Sequence, residues 1–354
     1  MFQLRYQSYI FDRRQNTLPP LETLPEGVQQ AITFCADWLA GKESFLQTTS
    51  GTTGIPKEVW LSRQQLEASA TATGAFFGAD ASFSLLCCLN PAYIAGKMML
   101  VRALVWDCEL RLVEASSDPL AGLEENFSLI AMVPLQVATS LANVDRLQQL
   151  KTLKALLVGG APLPYAVQEE LSKYGIAAWQ TFGMTETVSH FALAKITTEE
   201  LVYHCLPGVE IGLDEEDNLW VQSPMSGTEK IATRDKIELR SKNSFVWLGR
   251  ADFRVNSGGI KLFPEQLEQK VAQLMHALLP GVAYFFFGEK DPLLGEQLVM
   301  YLETSSNSPT ILGLEKELRA QVGKYEVPKV IYIRPSFVYT PTGKINRAAT
   351  AKLP

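Results

Sequence analysis

Short apolar runs alternate with amphipathic stretches between residues 45 and 182, and this alternation constrains the fold of the chain most strongly. The runs that predict buried strands are 83–89, 110–113, 129–133 and 153–158. Helical spacing appears between them, from a capping Ser62 to about Phe77 and again over 165–174. Strands that alternate with helices predict an α/β fold with a largely parallel sheet. Ligands of such sheets bind beyond the carboxyl ends of strands, where the glycine-rich segments of this chain fall.

The pattern changes after this region. Segments VEIGL, NLWVQ, KIELR and FVWLG within 209–249 alternate over short lengths and predict a β-rich, barrel-like subdomain. Helical patterns at 264–278 and 310–322, with apolar runs between them, predict a compact α+β domain. We therefore expect a large N-terminal α/β domain over 1–250, which contains the β-rich subdomain, and a small C-terminal domain over 251–354.

Composition and charge exclude several classes of protein. The 32 Lys and Arg against 38 Asp and Glu give a net charge of -6, which argues against nucleic-acid binding, since phosphate backbones require clustered cations. Five cysteines without a C-x-x-C pair suit buried free thiols in a reducing cytoplasm. The apolar stretch 84–106 contains Lys97 and Arg102 and is therefore no membrane span, and the N-terminus lacks the apolar core of a signal peptide. These features predict a cytoplasmic protein.

The segment TSGTTGIPK at 49–57 predicts a phosphate-binding loop, although a plain surface loop is the alternative for the segment alone. Its glycines let backbone N–H groups approach phosphate oxygens, its hydroxyls add donors, and its lysine adds a positive charge. A Walker A loop requires G-K-[ST], whereas Pro56 precedes and Glu58 follows this lysine, which argues against a P-loop kinase or phosphatase. The candidate phosphate-binding residues are Thr49, Ser50, Gly51, Thr52, Thr53, Gly54 and Lys57.

Further motifs follow in a fixed order. They are GGAPL at 159–163, FGMTET at 182–187, TRD at 233–235, GRAD at 249–252, SGG at 257–259 and PTGKINR at 341–347. Together with the loop at 49–57, they resemble the adenylate-forming (AMP-binding) superfamily, which includes acyl-CoA synthetases, peptide-synthetase adenylation domains and luciferases. The sequence departs from that pattern at Phe182, where the family has Tyr, and at Arg234, where it has Gly.

The resemblance implies a site for ATP and Mg²⁺. The residues it assigns to ATP or AMP outside the phosphate loop are Gly160, Ala161, Pro162, Phe182, Gly183, Met184, Asp235 and Arg250. It also implies that Thr185 contacts the α-phosphate and that Glu186 holds Mg²⁺, for which a carboxylate is a suitable ligand. Asp235 would accept hydrogen bonds from the ribose hydroxyls. Taken alone, these residues have other interpretations. Glu186 could be a solvated loop residue, Asp235 a turn aspartate, and Arg250 the partner of a carboxylate.

The same resemblance implies two-step chemistry. Lys344 would stabilise charge on the carboxylate and α-phosphate oxygens as pyrophosphate leaves. The small C-terminal domain would then rotate about Asp252 to admit the thiol of coenzyme A, with Gly258 and Gly259 on the coenzyme A side. The implied activity is that of an ATP-dependent acid–thiol ligase that releases AMP.

The phosphate loop begins at residue 49, whereas in usual members it lies well over a hundred residues into the chain. We therefore expect a shortened N-terminal domain. The missing part helps to build the large domain of relatives and often a dimer, so a homodimer remains open here.

The acid substrate is suggested by a second resemblance. The segment NPAYIAGK at 90–97, with an arginine six residues after its glycine, and Ser189 after FGMTET resemble the 2-succinylbenzoate–CoA ligases of menaquinone biosynthesis. The spare carboxylate of such an acid needs a cation once it is desolvated, which Arg102 or Lys97 would supply. The alternative is that both side chains extend to solvent. The candidate acid-binding residues are Tyr93, Gly96, Lys97, Arg102 and Ser189.

Two other functions remain as alternatives. The first is an adenylating ligase for another aromatic or medium-chain acid, including one that loads a carrier protein. The second is a sensor that binds acyl-AMP without turnover. The presence of Lys344, Glu186 and Asp235 together argues against a sensor, which needs no lysine at the reacting carboxylate.

Overall fold

The computed structural model describes residues 1–14, 21–49, 57–227, 229–305, 309–340 and 345–353. Within these ranges, the α-helices are α1 Glu26–Leu39, α2 Arg63–Phe77, α3 Ile94–Trp106, α4 Pro134–Leu141, α5 Val144–Thr152, α6 Tyr165–Lys173, α7 Pro264–Leu278, α8 Pro309–Gln321 and α9 Arg347–Ala351. The first ten strands are β1 Gln3–Tyr6, β2 Tyr9–Asp12, β3 Ser44–Thr49, β4 Lys57–Ser62, β5 Ser84–Cys87, β6 Glu109–Leu112, β7 Leu129–Met132, β8 Ala155–Val158, β9 Ala178–Gly183 and β10 His190–Lys195. The next ten are β11 Val202–Cys205, β12 Glu210–Leu213, β13 Asn218–Gln222, β14 Ile231–Ser241, β15 Ser244–Arg250, β16 Val255–Ser257, β17 Ile260–Leu262, β18 Tyr284–Asp291, β19 Gly295–Glu303 and β20 Val330–Arg334.

The chain divides into two compact units. The first contains Met1–Gly212, Trp220–Ile231 and Arg240–Phe245. The second contains Leu213–Leu219, Ala232–Leu239 and Val246–Pro354. The predicted domain boundary after residue 250 stays a prediction.

The first unit is built on a large sheet. Its parallel strands run in the order β1-β6-β5-β7-β8-β9, and β2 and β10 add antiparallel neighbours at the two ends of this series. The predicted α/β fold is therefore confirmed, and the parallel pairing holds for the strands from β5 to β9, within a sheet that also contains antiparallel pairs. All four residues of both β7 and β8 are buried, which explains why they read as continuous apolar runs.

The N-terminal hairpin of β1 and β2 completes one edge of this sheet. Leu4 pairs with Leu110 in the parallel register of β1 and β6, and both side chains are fully buried, as is Phe2. The sequence pattern of these first twelve residues did not predict a strand that joins the sheet.

Helices α2 and α3 pack against each other in the first unit. Ser62 caps α2 as predicted, because its hydroxyl accepts from Gln65 N while the Gln65 side chain accepts from Ser62 N. Helix α3 is buried over most of its length and carries Arg102 at a fully enclosed position. The helix that bears the candidate acid-binding cations is therefore part of the core.

The second unit contains a mixed sheet in which β18 pairs antiparallel with β19 and β19 pairs parallel with β20. Helices α7 and α8 supply apolar side chains to its core and match the predicted ranges 264–278 and 310–322 to within a residue. Helix α7 begins with Pro264 at its first turn, where a missing N–H costs nothing. Within the described part of the chain, no helix has the length and apolar character needed to cross a membrane.

Candidate active site

Two of the predicted nucleotide-binding segments follow neighbouring parallel strands of the first unit. Gly159 and Gly160 come directly after β8, and the FGMTET motif begins at the end of β9, which pairs with β8. A Cβ atom on Gly159 would lie 2.2 Å from Thr181 Oγ1, so a larger residue there would force the Thr181 side chain to move. Gly160 has a φ of +85°. The predicted adenine loop, with Ala161 half-buried and Pro162 exposed, therefore lies at the same sheet edge as the Thr-Glu motif.

Phe182 stands where the family has tyrosine, and it packs inside an aromatic cluster. Its ring centre lies 5.5 Å from Phe191, 5.2 Å from Tyr203 and 5.2 Å from Phe245. The next residue, Gly183, is also required, because a Cβ atom there would lie 2.1 Å from the carbonyl oxygen of Ser189. Phe182, which replaces the tyrosine of the family, therefore holds the motif in place by aromatic packing.

Thr187 and Val188 shape the turn that presents Thr185 and Glu186. The Thr187 hydroxyl is fully buried, accepts from Met184 N at 3.1 Å and lies 2.8 Å from the carbonyl of Ser189. Val188 has φ +64° and ψ −53°, and Ser189 N donates to Thr187 O across it at 2.7 Å, which defines a γ-turn. A β-branched residue in this conformation is a strained outlier, and such strain concentrates at functional sites.

In this turn, Thr185 is half-buried and Glu186 is exposed. Among the described residues, no group of three or more His, Cys, Asp or Glu side chains is arranged to hold a metal ion by itself. A single carboxylate is the kind of ligand that Mg²⁺ uses when substrate phosphates supply the other oxygens. Glu186 therefore fits the predicted magnesium role.

The predicted phosphate loop joins two antiparallel strands of the first unit. Thr49 at the end of β3 and Lys57 at the start of β4 are paired across this hairpin. The predictions for Ser50, Gly51, Thr52, Thr53 and Gly54 fall outside the described residues.

Arg102 is a buried cation. Its side chain is 2% exposed, its Nη1 donates to Met99 Sδ at 3.4 Å, and its Nε has no hydrogen-bond partner in the described ranges. Burial lowers the pKa of its guanidinium to about 10. A buried charge is costly unless it is paired, so this position is energetically unfavourable without a partner, and the acid-binding role of Arg102 stays a prediction.

Lys97 lies on a different side of α3. Five helical positions separate it from Arg102, which corresponds to about 140° around the helix axis. Its Nζ donates to the carbonyl oxygen of Leu46 in β3 at 3.0 Å and lies 5.8 Å from the centre of the Phe34 ring. Desolvation, together with the nearby Lys42, lowers its pKa to about 8. The two predicted acid-binding cations therefore do not point toward one shared carboxylate.

The other predicted acid-binding residues surround the start of α3 and the Val188 turn. Tyr93 precedes α3 and is 59% exposed, whereas Gly96 is buried and a Cβ atom there would lie 2.5 Å from the backbone oxygen of Asn90. Ser189 is half-buried beyond the turn. Tyr93 and Gly96 therefore lie at the start of α3, and Ser189 lies beyond the Val188 turn of the same unit.

His190 and Thr73 form a buried polar contact that sequence patterns alone did not reveal. His190 Nε2 lies 3.2 Å from Thr73 Oγ1 of α2, and both side chains are buried. Burial and the charge of Arg102 hold the pKa of His190 well below its usual value. The folded chain therefore favours the neutral form of His190.

Asp235 and Trp247 meet in the second unit. Trp247 Nε1 donates to Asp235 Oδ1 at 2.9 Å, and burial raises the pKa of the Asp235 carboxyl group. This bond orients the predicted ribose-binding carboxylate. Trp247 was not predicted to be a functional residue; its position two residues before the GRAD motif is the signal that identifies it.

Asp252, the predicted hinge residue, is held between two arginines of the second unit. Arg234 Nη1 lies 2.5 Å from one carboxylate oxygen and Arg250 Nη2 lies 3.2 Å from the other. The hydrogen bond from Arg234 is the main reason that the pKa of Asp252 lies below its usual value. The arginine that replaces the family's glycine therefore forms an ion pair with the predicted hinge.

Gly258 and Gly259 form the two-residue turn between β16 and β17, where Ser257 pairs with Ile260. Their φ values of +57° and +85° match a hairpin turn that favours glycine at both positions. Lys344, the predicted catalytic lysine, falls outside the described residues.

Comparisons with known proteins identify the family of the chain. The family model described as AMP-binding enzyme matches residues 23–222. A solved structure described as an acyl-CoA synthetase (AMP-forming)/AMP-acid ligase II-like protein from Dyadobacter fermentans is 38% identical, with a TM-score of 0.65, and the match covers 96% of this chain and 97% of that one. The chain belongs to the AMP-binding enzyme family. The predicted resemblance to AMP-forming acid–thiol ligases is thereby confirmed.

More distant relatives fit the same family. A probable 2-succinylbenzoate–CoA ligase of Mycobacterium tuberculosis is 26% identical over 323 residues, which cover 86% of this chain and 83% of that protein. The structure of the Bacillus subtilis o-succinylbenzoate coenzyme A synthetase in complex with ATP and magnesium is 21% identical, has a TM-score of 0.71, and is matched over 87% of this chain and 69% of its own. At this identity the second comparison concerns the fold alone.

Proposed function

We propose that this protein is an ATP-dependent acid–CoA ligase. In the first step a carboxylate oxygen attacks the α-phosphorus of ATP, which forms the acyl-adenylate and releases pyrophosphate. In the second step the thiol of coenzyme A attacks the acyl carbon, loses its proton, and displaces AMP. Membership of the AMP-binding enzyme family supports this chemistry, as do curated relatives that are named CoA ligases.

The observation that carries the proposal is the strained turn at Val188. It holds Thr185 and Glu186 at the sheet edge where the GGAP loop also begins. Mg²⁺, when bound to Glu186, would neutralise charge on the phosphates. Thr185 would contact the α-phosphate, Asp235 would hold the ribose, and Arg250 would contact ribose or phosphate.

Lys344 supplies the remaining catalytic charge in this proposal, at the carboxylate and α-phosphate oxygens during adenylation. The small C-terminal domain would then rotate about Asp252. This rotation would move Lys344 away from the reacting atoms and bring the surface at Gly258 and Gly259, which faces coenzyme A, in its place. These roles rest on the resemblance of their motifs to those of the family.

We further propose 2-succinylbenzoate as the acid, with the product used for menaquinone biosynthesis. Curated relatives from Enterococcus faecalis and Salmonella typhimurium, each 26% identical, are also named 2-succinylbenzoate–CoA ligases. The buried guanidinium of Arg102 gives a physical reason for a dicarboxylic acid, because a spare carboxylate would pair with a charge that is otherwise enclosed without an anion among the described residues.

The test is a mass-spectrometric assay of the purified protein with ATP, Mg²⁺, coenzyme A and 2-succinylbenzoate. We expect AMP and the coenzyme A thioester in equal amounts. If AMP forms only with a different acid from a panel of aromatic and medium-chain acids, 2-succinylbenzoate is not the substrate, but the proposed reaction stands. If the acyl group is transferred to a carrier-protein thiol instead of coenzyme A, the proposed acceptor is wrong. Formation of ADP instead of AMP would contradict the proposal.

A further inference from the structure

Glu268 and Arg347 form an enclosed ion pair in the second unit. Arg347 Nη2 lies 2.7 Å from Glu268 Oε2, and the two side chains are only 14% and 20% exposed. Both also bind the backbone of Phe286 in β18: its N–H donates to Glu268 Oε1 at 2.9 Å, and its carbonyl oxygen accepts from Arg347 Nη1 at 3.3 Å. This network joins the first residue of α9 to α7 and to the sheet.

Arg347 follows the PTGK motif, three residues after Lys344. The described residues on either side of the motif are held in place. Tyr339 and Ile345 form a β-bridge, and Asn346 N donates to Val338 O at 2.7 Å. The described residues before and after the motif, 338–339 and 345–346, are therefore fixed relative to each other.

A second carboxylate holds the other flank of the motif. Glu303 of β19 accepts from Phe337 N at 2.7 Å and from the Tyr339 hydroxyl at 2.5 Å. Glu303 thus anchors the residues before the motif, and Glu268 anchors those after it.

The same region of α7 also contacts the segment that precedes the predicted hinge. Glu265, one turn before Glu268, accepts from Arg250 N at 3.3 Å. A Cβ atom on Gly249 would lie 2.4 Å from Glu265 Oε2, so the backbone approaches this carboxylate closely. The guanidinium of Arg347 lies 5.2 Å from the ring centre of Phe253, the residue after Asp252. Arg347 therefore contacts both the hinge segment and, through Glu268, α7.

We propose that Glu268 is a positioning residue for adenylation, which acts by holding Arg347 and thereby sets the lysine-bearing segment relative to the hinge at Asp252. This inference rests on the proposed function, in which Lys344 acts in the first step and not in the second. A displacement of about 1 Å at a catalytic group can reduce a rate by about 100-fold. The loss of one ion pair outside the site is therefore enough to impair the first step.

The experiment compares Glu268→Gln, Arg347→Met and the double variant with the natural protein. Three quantities are measured: acid-dependent exchange of pyrophosphate into ATP, thioester formation from supplied acyl-adenylate and coenzyme A, and the melting temperature. Glu326→Gln is the matched control. Glu326 pairs at 2.7 Å with Lys270, which lies on α7, and among the described residues no hydrogen bond or ion pair links Glu326 to Arg347.

We expect both single variants to lose exchange activity by between about 10-fold and 100-fold, while thioester formation from acyl-adenylate changes less than about twofold. In the double variant no unpaired buried charge remains, so its melting temperature should recover relative to the single variants. Its exchange activity should stay low, because Arg347 no longer holds the segment. Glu326→Gln should keep both activities.

Recovery of exchange together with melting temperature in the double variant would show that the pair only stabilises the fold, and would overturn the proposal. Equal losses in both steps, or natural activity in Glu268→Gln, would overturn it as well. If the natural protein shows no acid-dependent exchange with any acid of the panel, the proposed function itself fails, and this inference fails with it.

Discussion

Trp247 Nε1 donates a hydrogen bond to Asp235 Oδ1 across 2.9 Å, from β15 to β14. The bond fixes the orientation of the Asp235 carboxylate. Burial raises the pKa of this group and so favours its protonated form, which the hydrogen bond from Trp247 opposes. An indole can only donate, so the contact keeps Asp235 an acceptor.

Trp247→Phe should weaken ATP binding, because it removes this donor while it keeps an aromatic ring. Hydrogen bonds to charged groups contribute about 1.5–3 kcal/mol, so we expect the KM for ATP to rise about 10-fold or more. Steady-state kinetics of AMP formation measures this. Trp220→Phe, which changes an indole of the first unit, should leave the KM for ATP within about twofold of the natural value.

Arg102→Met should reduce activity with a dicarboxylic acid much more than activity with a monocarboxylic acid. Loss of one partner of a buried ion pair corresponds to about 3 kcal/mol, so activity with 2-succinylbenzoate should fall by about 100-fold, and activity with a matched monocarboxylic acid should change little. The free protein should melt at an equal or higher temperature, because the variant removes an enclosed charge.

Lys97→Met serves as the comparison for that experiment. Because Lys97 binds the carbonyl of Leu46 and points away from Arg102, it should change the use of both acids by the same factor. A selective loss of the dicarboxylic acid in this variant, with none in Arg102→Met, would assign the spare carboxylate to Lys97 instead.

Arg234→Gly restores the glycine of the family motif and breaks the ion pair with Asp252. Arg234 is 71% exposed, so the pair is weak and screened by salt. We expect the ratio of the two half-reaction rates to change by about twofold at low salt, and the difference from the natural protein to vanish near 1 M salt. Arg240→Met breaks the exposed pair with Glu200 and should leave the ratio unchanged.

The pair of Glu268 and Arg347 also predicts a pH dependence of stability. Desolvation raises the pKa of Glu268 to about 7, even though Arg347 opposes the shift, and Glu265 adds to it. Tyr284, whose hydroxyl donates to the Glu268 carbonyl, also faces this region. The folded chain therefore binds more protons than the unfolded chain between the ordinary glutamate pKa of about 4.3 and about 7. Over that interval the contribution of Glu268 to the free energy of unfolding must fall as pH rises.

Glu268→Gln removes this titration. The melting temperature of the natural protein should fall more between pH of about 5 and about 7.5 than that of the variant. Glu326→Gln should retain the natural slope over the same interval. A Glu268→Gln slope that equals the natural one would show that Glu268 ionises normally in the folded chain.

Local patterns predicted the parts of the fold that depend on neighbouring residues. The cap at Ser62, the helix from Pro264 and the buried runs of β7 and β8 all follow from short-range rules. The ordered motifs likewise indicated the family and most candidate site residues.

Contacts between distant parts of the chain were not predictable in this way. The pairing of Leu4 with Leu110, the ion pair between Arg347 and Glu268, and the bond from Trp247 to Asp235 each depend on tertiary packing, which periodicity does not encode. The strained γ-turn at Val188 is also hidden, because a β-branched residue is the least expected choice there.

The central claim is that this chain adenylates a carboxylic acid, and acid-dependent exchange of labelled pyrophosphate into ATP tests it most directly. We predict exchange with 2-succinylbenzoate and Mg²⁺ in the absence of coenzyme A, and its loss in Lys344→Ala, which should still convert supplied acyl-adenylate to the thioester. Absence of exchange with every acid of a broad panel, or exchange that Lys344→Ala retains at the natural rate, would contradict the account.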